Sequence, residues 1–422
     1  MNSRIPGFYK LSVEERLKKV AEFSNLSEED TKILLEKGLS LEVADRMIEN
    51  VVGTFELPLG IATNFLIDGK DYLIPMAIEE PSVVAAASNA ARMARESGGF
   101  TTDYTGSKMI GQIQVTKLSD PVAAKFEVLK HRDEIIERAN ECDPMLVNLG
   151  GGCRDVEARV IDTIAGKMLV VHLVVDVLDA MGANAVNTMC ESVAPFIERI
   201  TGGKVYLRII SNLAAYRLAR AKAVFDKDVI GGEEVVEGIM LAYAFAAADP
   251  FRCATHNKGI MNGIIAVIIA TCNDHRAIEA GAHAYAVKNG HYTTLSTWEK
   301  NENGDLVGSI ELPMAVGLIG GAVRTHPIAK IAIKILGVKT ANEFAEVLAA
   351  VGLAQNLGAL RALAHEGIQR GHMSLHARNI AIAAGATGEL IDLVAEKMVE
   401  ERKIRMDRAK ELVEQYKTAG KI

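Results

Sequence analysis

Apolar and polar positions change period several times along the chain, and each change marks an element. The first fifty residues carry three short apolar stripes at helical spacing. Two of them have a start signal, Ser12 followed by Glu15 and Ser27 followed by Asp30. After Glu49-Asn50-Val51-Val52-Gly53 the pattern turns strand-like over Gly60–Ile67 and Tyr72–Ala77. A helix is expected from Pro81 to about Glu96, because proline suits a first helical turn. Its Ala85, Ala86, Ala87, Ala90 and Ala91 leave little side-chain bulk, so it is expected to lie in the interior.

From Met109 the texture changes. Ile110–Leu118 alternates like a strand, Pro121–Asn140 is a charged helix, and Val156–Thr163 and Met168–Val177 are two more strands. A helix over Ala183–Ile200 ends at Gly202-Gly203, before a strand at Lys204–Ile210. Such a run reads as a small α+β unit inserted into a larger body. Beyond Ser211 the pattern predicts mostly helix as far as Lys288. A hairpin follows, His291–Glu299 and Asp305–Leu312 around Asn301-Glu302-Asn303-Gly304. The apolar run Gly263–Cys272 is short enough to be a buried helix, and no run reaches the roughly 18 residues of a membrane span. The final fifty residues predict helices with a solvated, mixed-charge face. The fold class expected is therefore α+β and multidomain, with a mainly helical large domain.

Composition narrows the functional classes. A chain of 422 residues, 49% hydrophobic and 24% charged, implies two or three packed domains and excludes disorder. The net charge of −7 argues against a nucleic-acid partner. Five cysteines, an odd number, do not suggest a disulfide framework and point to a reducing cytoplasm; Met1–Lys10 lacks the apolar stretch of a signal peptide.

Four constellations could carry chemistry, one of them a pair of glycine clusters. Asp249 to Gly263 places Arg252, Cys253, His256, Asn257, Lys258 and Asn262 at the head of the apolar run, with Asp274 after it. Lys258 is either an electrophile for a developing oxyanion, held by a carboxylate such as Asp274, or a snorkelling helix cap. Cys253-x-x-His256 and Cys272-x-x-His275 look like paired metal ligands, but a helix of that length would hold them ~20 Å apart, which disfavours zinc. Glu79-Glu80-Pro81-Ser82 offers either a proton donor or acids drawn to a helix N-terminus. Gly150 to Asp155 and Asp179 to Asn184 let a nucleotide approach the backbone, or are simple turns; neither spells G-x-G-x-x-G, so the Rossmann fingerprint is absent. His372 and His376 stand one turn apart without the glutamate of a metalloprotease helix, and no metal is expected.

Together these blocks resemble the class II 3-hydroxy-3-methylglutaryl-coenzyme A (HMG-CoA) reductases. Glu49 to Gly53, Pro75 to Ser82, Asp179 to Asn184, Thr255 to Gly263, Gly317 to Gly321 and Gly371 to Met373 occur in the family's order. The resemblance implies a large substrate domain (1–108 and 214–367), a small non-Rossmann nucleotide domain inserted in it (109–213), and a helical C-terminal flap (368–422). It places Glu80, Lys258, Asp274 and His372 at catalytic positions, and Ser82, Arg252 and Asn262 on the hydroxymethylglutaryl group. Asp179, Met181, Gly182, Ala183 and Asn184 match the nicotinamide-nucleotide motif. Asp143 matches a position facing the adenosine ribose, which implies NADH with NADPH as the second choice. It further implies HMG-CoA, mevalonate and CoA as ligands, at least a homodimer with shared active sites, and no membrane or nucleic-acid partner. A lyase or hydratase using Glu80 and His372 without a redox cofactor is the alternative, as is a silent CoA-binding scaffold.

Overall fold

The computed structural model describes residues 2–36, 38–288, 290–366 and 368–418, with the side chains of 365–375 outside that description. Its strands, in chain order, are β1 Leu59–Ile67, β2 Lys70–Ala77, β3 Phe100–Tyr104, β4 Lys108–Thr116, β5 Gly152–Thr163 and β6 Gly166–Asp176. They continue with β7 Lys204–Ser211, β8 Leu218–Phe225, β9 Val287–Lys288, β10 His291–Tyr292, β11 Ser296–Lys300 and β12 Leu306–Pro313. Both start signals of the first fifty residues form reciprocal capping boxes, Ser12 with Glu15 and Ser27 with Asp30.

Two sheets organise the chain. Six strands in the order β11-β12-β8-β3-β1-β2 form one, antiparallel apart from the β1–β3 pair. Four antiparallel strands in the order β5-β6-β4-β7 form the other, all drawn from the segment read as an insertion. The stretch after Ser211 is not helical throughout, because β8 runs through it and pairs on both edges, with β3 and β12. The helix expected over Pro121–Asn140 is two helices, Pro121–Lys130 and Arg132–Glu141, broken at His131.

The Ala341–Arg361 helix is the axis of the larger body, buried along most of its length. Residues 341–364 are long and apolar enough to cross a bilayer, against the sequence expectation, yet 67% of that apolar window is buried inside the protein. It packs on the Pro250–Ala270 and Val83–Arg95 helices. Close approach explains two glycines: a Cβ on Gly352 would lie 2.8 Å from Ile264 Cδ1, and one on Gly263 2.9 Å from Gln355 Cβ. Ala87, Ala90 and Ala91 of the alanine-rich helix are fully buried, while Ala85 is exposed, so only one face is interior. The last three helices, Ile368–Ala383, Glu389–Glu400 and Met406–Thr418, close around a separate core that includes Ala377, Leu390, Val394, Met398 and Leu412.

Candidate active site

β2 delivers the chain to Glu79 and Glu80 just beyond its end. Ser82 then takes a left-handed conformation, φ 74°, which costs a non-glycine residue about 1–2 kcal/mol. The helix therefore opens at Val83, two residues later than expected. Facing this bend is the Pro250–Ala270 helix, with Pro250 in its first turn and Asp249 as its cap, whose carboxylate accepts from Arg252 N at 2.7 Å. Lys258 and Asn262, four apart, project from one side of that helix.

There the two segments meet. Lys258 Nζ donates to Glu80 Oε2 at 2.9 Å, across 178 residues of sequence. Both line a cavity of about 170 Å³ together with Glu79, Asn262, Met261 and Glu279. Three carboxylates therefore share the cleft with one ammonium, and Ala77, Ile78, Ile265, Ala266 and Ile269 complete its lining. Ser82 and Arg252 are not among the lining residues. A larger cavity of about 460 Å³ lies along β3, β8 and β12, but it holds none of the residues singled out from sequence.

Asp274 does not reach Lys258, contrary to expectation. Its carboxylate caps the His275–Tyr285 helix through Arg276 N at 3.0 Å and Ala277 N at 3.1 Å, and pairs with Arg276 at 3.1 Å. The physical reason is local: a helix start supplies two unpaired amides within reach of that side chain. Glu80 is the carboxylate that holds the lysine. His372 lies on the Ile368–Ala383 helix, and its side chain falls outside the described residues.

Beneath Lys258 the helix is anchored by side chains the sequence did not single out for that role. Asn257, fully buried, donates to Thr293 O at 3.0 Å and accepts from Leu295 N at 3.1 Å. His256 Nε2 lies 2.8 Å from Ser296 Oγ, whose hydroxyl donates to Asn356 Oδ1 at 2.8 Å. Burial, with the nearby Arg252 charge, pushes the His256 imidazole down to about 4. It is therefore neutral and structural. No group of three or more His, Cys, Asp or Glu suited to a metal occurs among the described residues.

The second cluster is the turn Asp179–Asn184. Gly182 adopts φ 101° and opens the Ala183–Thr201 helix without any side-chain cap, so the first amides of that helix remain available to an anion. Met181 and Ala183 are half-buried and Asn184 is exposed. Asp179 is committed elsewhere, since its Oδ1 accepts from Ala341 N, the first residue of the axial helix, at 2.7 Å. Asp143 caps the short Pro144–Asn148 helix by accepting from Leu146 N at 2.9 Å. Two site residues escaped the sequence reading: Glu279, at the rim of the cleft, and Arg217, under the turn. The partners of Arg217 lie 36 to 113 residues away, so no local pattern could have flagged it.

Comparison with known proteins identifies the family. The family model of hydroxymethylglutaryl-coenzyme A reductase matches residues 12–377. The chain is 80% identical to 3-hydroxy-3-methylglutaryl-coenzyme A reductase of Archaeoglobus fulgidus, over 99% of this chain and 96% of that one. A reductase structure from Streptococcus pneumoniae superposes with a TM-score of 0.84 at 40% identity, covering 97% of this chain and 99% of that one. A class II reductase from the same organism, bound to NADPH in open conformations, gives a TM-score of 0.83 at 42% identity over 85% and 99%. On its sequence and its fold, this chain belongs to the class II hydroxymethylglutaryl-coenzyme A reductases, a family of NAD(P)-dependent oxidoreductases.

Proposed function

We propose that the Glu80–Lys258 pair is the reaction centre of this reductase, which converts HMG-CoA to mevalonate and CoA. The observation that carries the reading is the 2.9 Å contact between them in a cleft that also holds Asn262. Turning a thioester into an alcohol and a thiol takes two hydrides and two protons, by way of mevaldehyde. Reduced nicotinamide supplies the hydrides. The uncapped start of the Ala183–Thr201 helix fits a dinucleotide phosphate.

The chain's own groups handle charge and protons. Each hydride addition leaves negative charge on the former carbonyl oxygen, and the Lys258 ammonium stabilises it. Glu80 holds that ammonium in place as a carboxylate and, after taking up a proton from solvent, delivers the proton that completes the alcohol. His372, on the C-terminal helices, protonates the departing CoA thiolate, and Gly371 beside it gives the segment a place to bend. Asp274 joins the cleft only by leaving both its own helix start and the Arg276 side chain. Ser82 and Arg252 hold the hydroxymethylglutaryl group once the flap has closed.

Asp143 favours NADH, because a carboxylate beside the ribose accepts from the 2′-hydroxyl and repels a 2′-phosphate. The active unit is a homodimer. Support for a partner comes from the 48–58 segment, where Ile48, Val52 and Phe55 are exposed. We assign residues 1–108 and 214–367 to the substrate domain, 109–213 to the nucleotide domain and 368–422 to the flap.

A stoichiometric assay tests the function. HMG-CoA added to enzyme and NADH should consume two nicotinamides for each free thiol released. A lyase or hydratase would leave the nicotinamide absorbance unchanged.

A further inference from the structure

The turn Asp179–Gly182 meets the larger body over a buried cation. Arg217, the residue before β8, has no exposed surface. Its guanidinium donates to Tyr104 Oη at 2.6 Å, Ala180 O at 3.1 Å, Met181 O at 3.2 Å and Val316 O at 2.6 Å. All four acceptors are neutral, and none of them belongs to an acid. Burying a cation on neutral dipoles alone is unfavourable, so charge pairing does not explain this arginine. Its planar fork does something geometric instead, spanning two successive carbonyls of the turn and one of the 314–317 loop.

Turn and loop are pressed together at the same place. A Cβ on Gly317 would lie 2.5 Å from Met181 N and 3.0 Å from Ala180 C, both backbone atoms that cannot rotate away. Leu318 N donates to Asp179 O at 2.9 Å. Gly317 N donates to Asn273 Oδ1 at 2.9 Å, so the loop continues to the residue beside Asp274.

We propose that Arg217 is a positioning residue for the cofactor. It sets the Asp179–Asn184 turn, which receives an anionic dinucleotide, in register with the catalytic segment. The proposal rests on the reading of that turn as the nucleotide site.

The test uses the full-length enzyme with Arg217→Met, Arg217→Lys, Gly317→Ala and Tyr104→Phe. For each, KM is measured separately for NADH and for HMG-CoA, together with kcat and thermal unfolding. Arg217→Met and Gly317→Ala should raise the NADH KM about tenfold or more, with the HMG-CoA KM within about twofold. Arg217→Lys should recover part of the loss, and Tyr104→Phe, which removes one of four contacts, should show a smaller shift. An unchanged NADH KM in folded Arg217→Met overturns the proposal, as does a parallel rise in both KM values. Should Arg217→Met fail to fold, unchanged NADH KM values in Gly317→Ala and Tyr104→Phe overturn it equally. Hydrogen exchange on the unsubstituted enzyme separates the two readings. If NADH fails to protect the 180–184 amides, the turn is not the nucleotide site. Protection there with an unchanged KM in the variants removes only the role of Arg217.

Discussion

Replacing Lys258 by alanine should separate catalysis from stability, and the structure gives both magnitudes. In the ion pair with Glu80, the lysine side chain keeps 56% of its surface exposed and the glutamate 35%. An exposed pair of that kind contributes about 0–1 kcal/mol, so Tm should fall by no more than about 2–3 °C. The catalytic loss is of another size. Removing one preorganised donor from a developing oxyanion costs about 2.7–4 kcal/mol, or about 10²–10³ in kcat. The KM for HMG-CoA should change by only a few fold, because the charge Lys258 meets forms in the transition state. Reduction of free mevaldehyde should suffer a similar drop, since the same oxygen turns negative in that step too. The assay is steady-state kinetics with each substrate on purified variant, beside a thermal melt. A folded Lys258→Ala enzyme that retains more than about a tenth of the original kcat would refute the reasoning.

Three further outcomes are expected. Asp143→Ala should narrow the gap between NADH and NADPH, read as the ratio of their kcat/KM values, at a cost of about 1 kcal/mol for the lost helix cap; an unchanged ratio would clear Asp143 of that role. His372→Gln should abolish activity with HMG-CoA yet leave mevaldehyde reduction within about tenfold, about 1.4 kcal/mol, while His376→Gln changes little; equal loss on both substrates would make His372 a positioning group instead. Because burial holds the His256 imidazole down at about 4, the unfolded chain takes up a proton below about pH 6.5 that the folded protein refuses. Stability from this residue is thus complete above pH 6.5 and declines by about 3 kcal/mol as the pH falls towards 4. Denaturant titrations across that range should show a decline that His256→Gln lacks.

Local physics was legible in the sequence, whereas long-range assembly was not. Ser12 and Ser27 cap helices through partners three residues away, so a short window contains the whole interaction. β8 was hidden by its composition. Leu218-Ala219-Arg220-Ala221-Lys222-Ala223 is rich in good helix formers, and only its alternating burial reveals a strand held by β3 and β12. β3 is short and carries Thr101, Thr102 and Asp103, polar residues that hide its pairing with β8. At the active site, residue types on each segment suggested chemistry, but Glu80 and Lys258 are 178 positions apart. The family resemblance placed both at catalytic positions but gave Lys258 to Asp274, and their contact is visible only in the fold. Only the fold shows that Asp274 is occupied by its own helix start. Arg217 is the extreme case, a basic residue in a run with Arg220 and Lys222 whose meaning lies in four distant oxygens.

The central claim is that Glu80 and Lys258 act as one unit on one reacting oxygen, and a double-mutant cycle on kcat tests it most directly. Glu80→Gln, Lys258→Met and the combined variant are compared under saturating HMG-CoA and NADH. Groups that work together are not additive, so the double variant should fall within about threefold of the slower single variant. Losses that multiply, leaving the double variant slower by the full product of the two, would show independent roles and contradict the account.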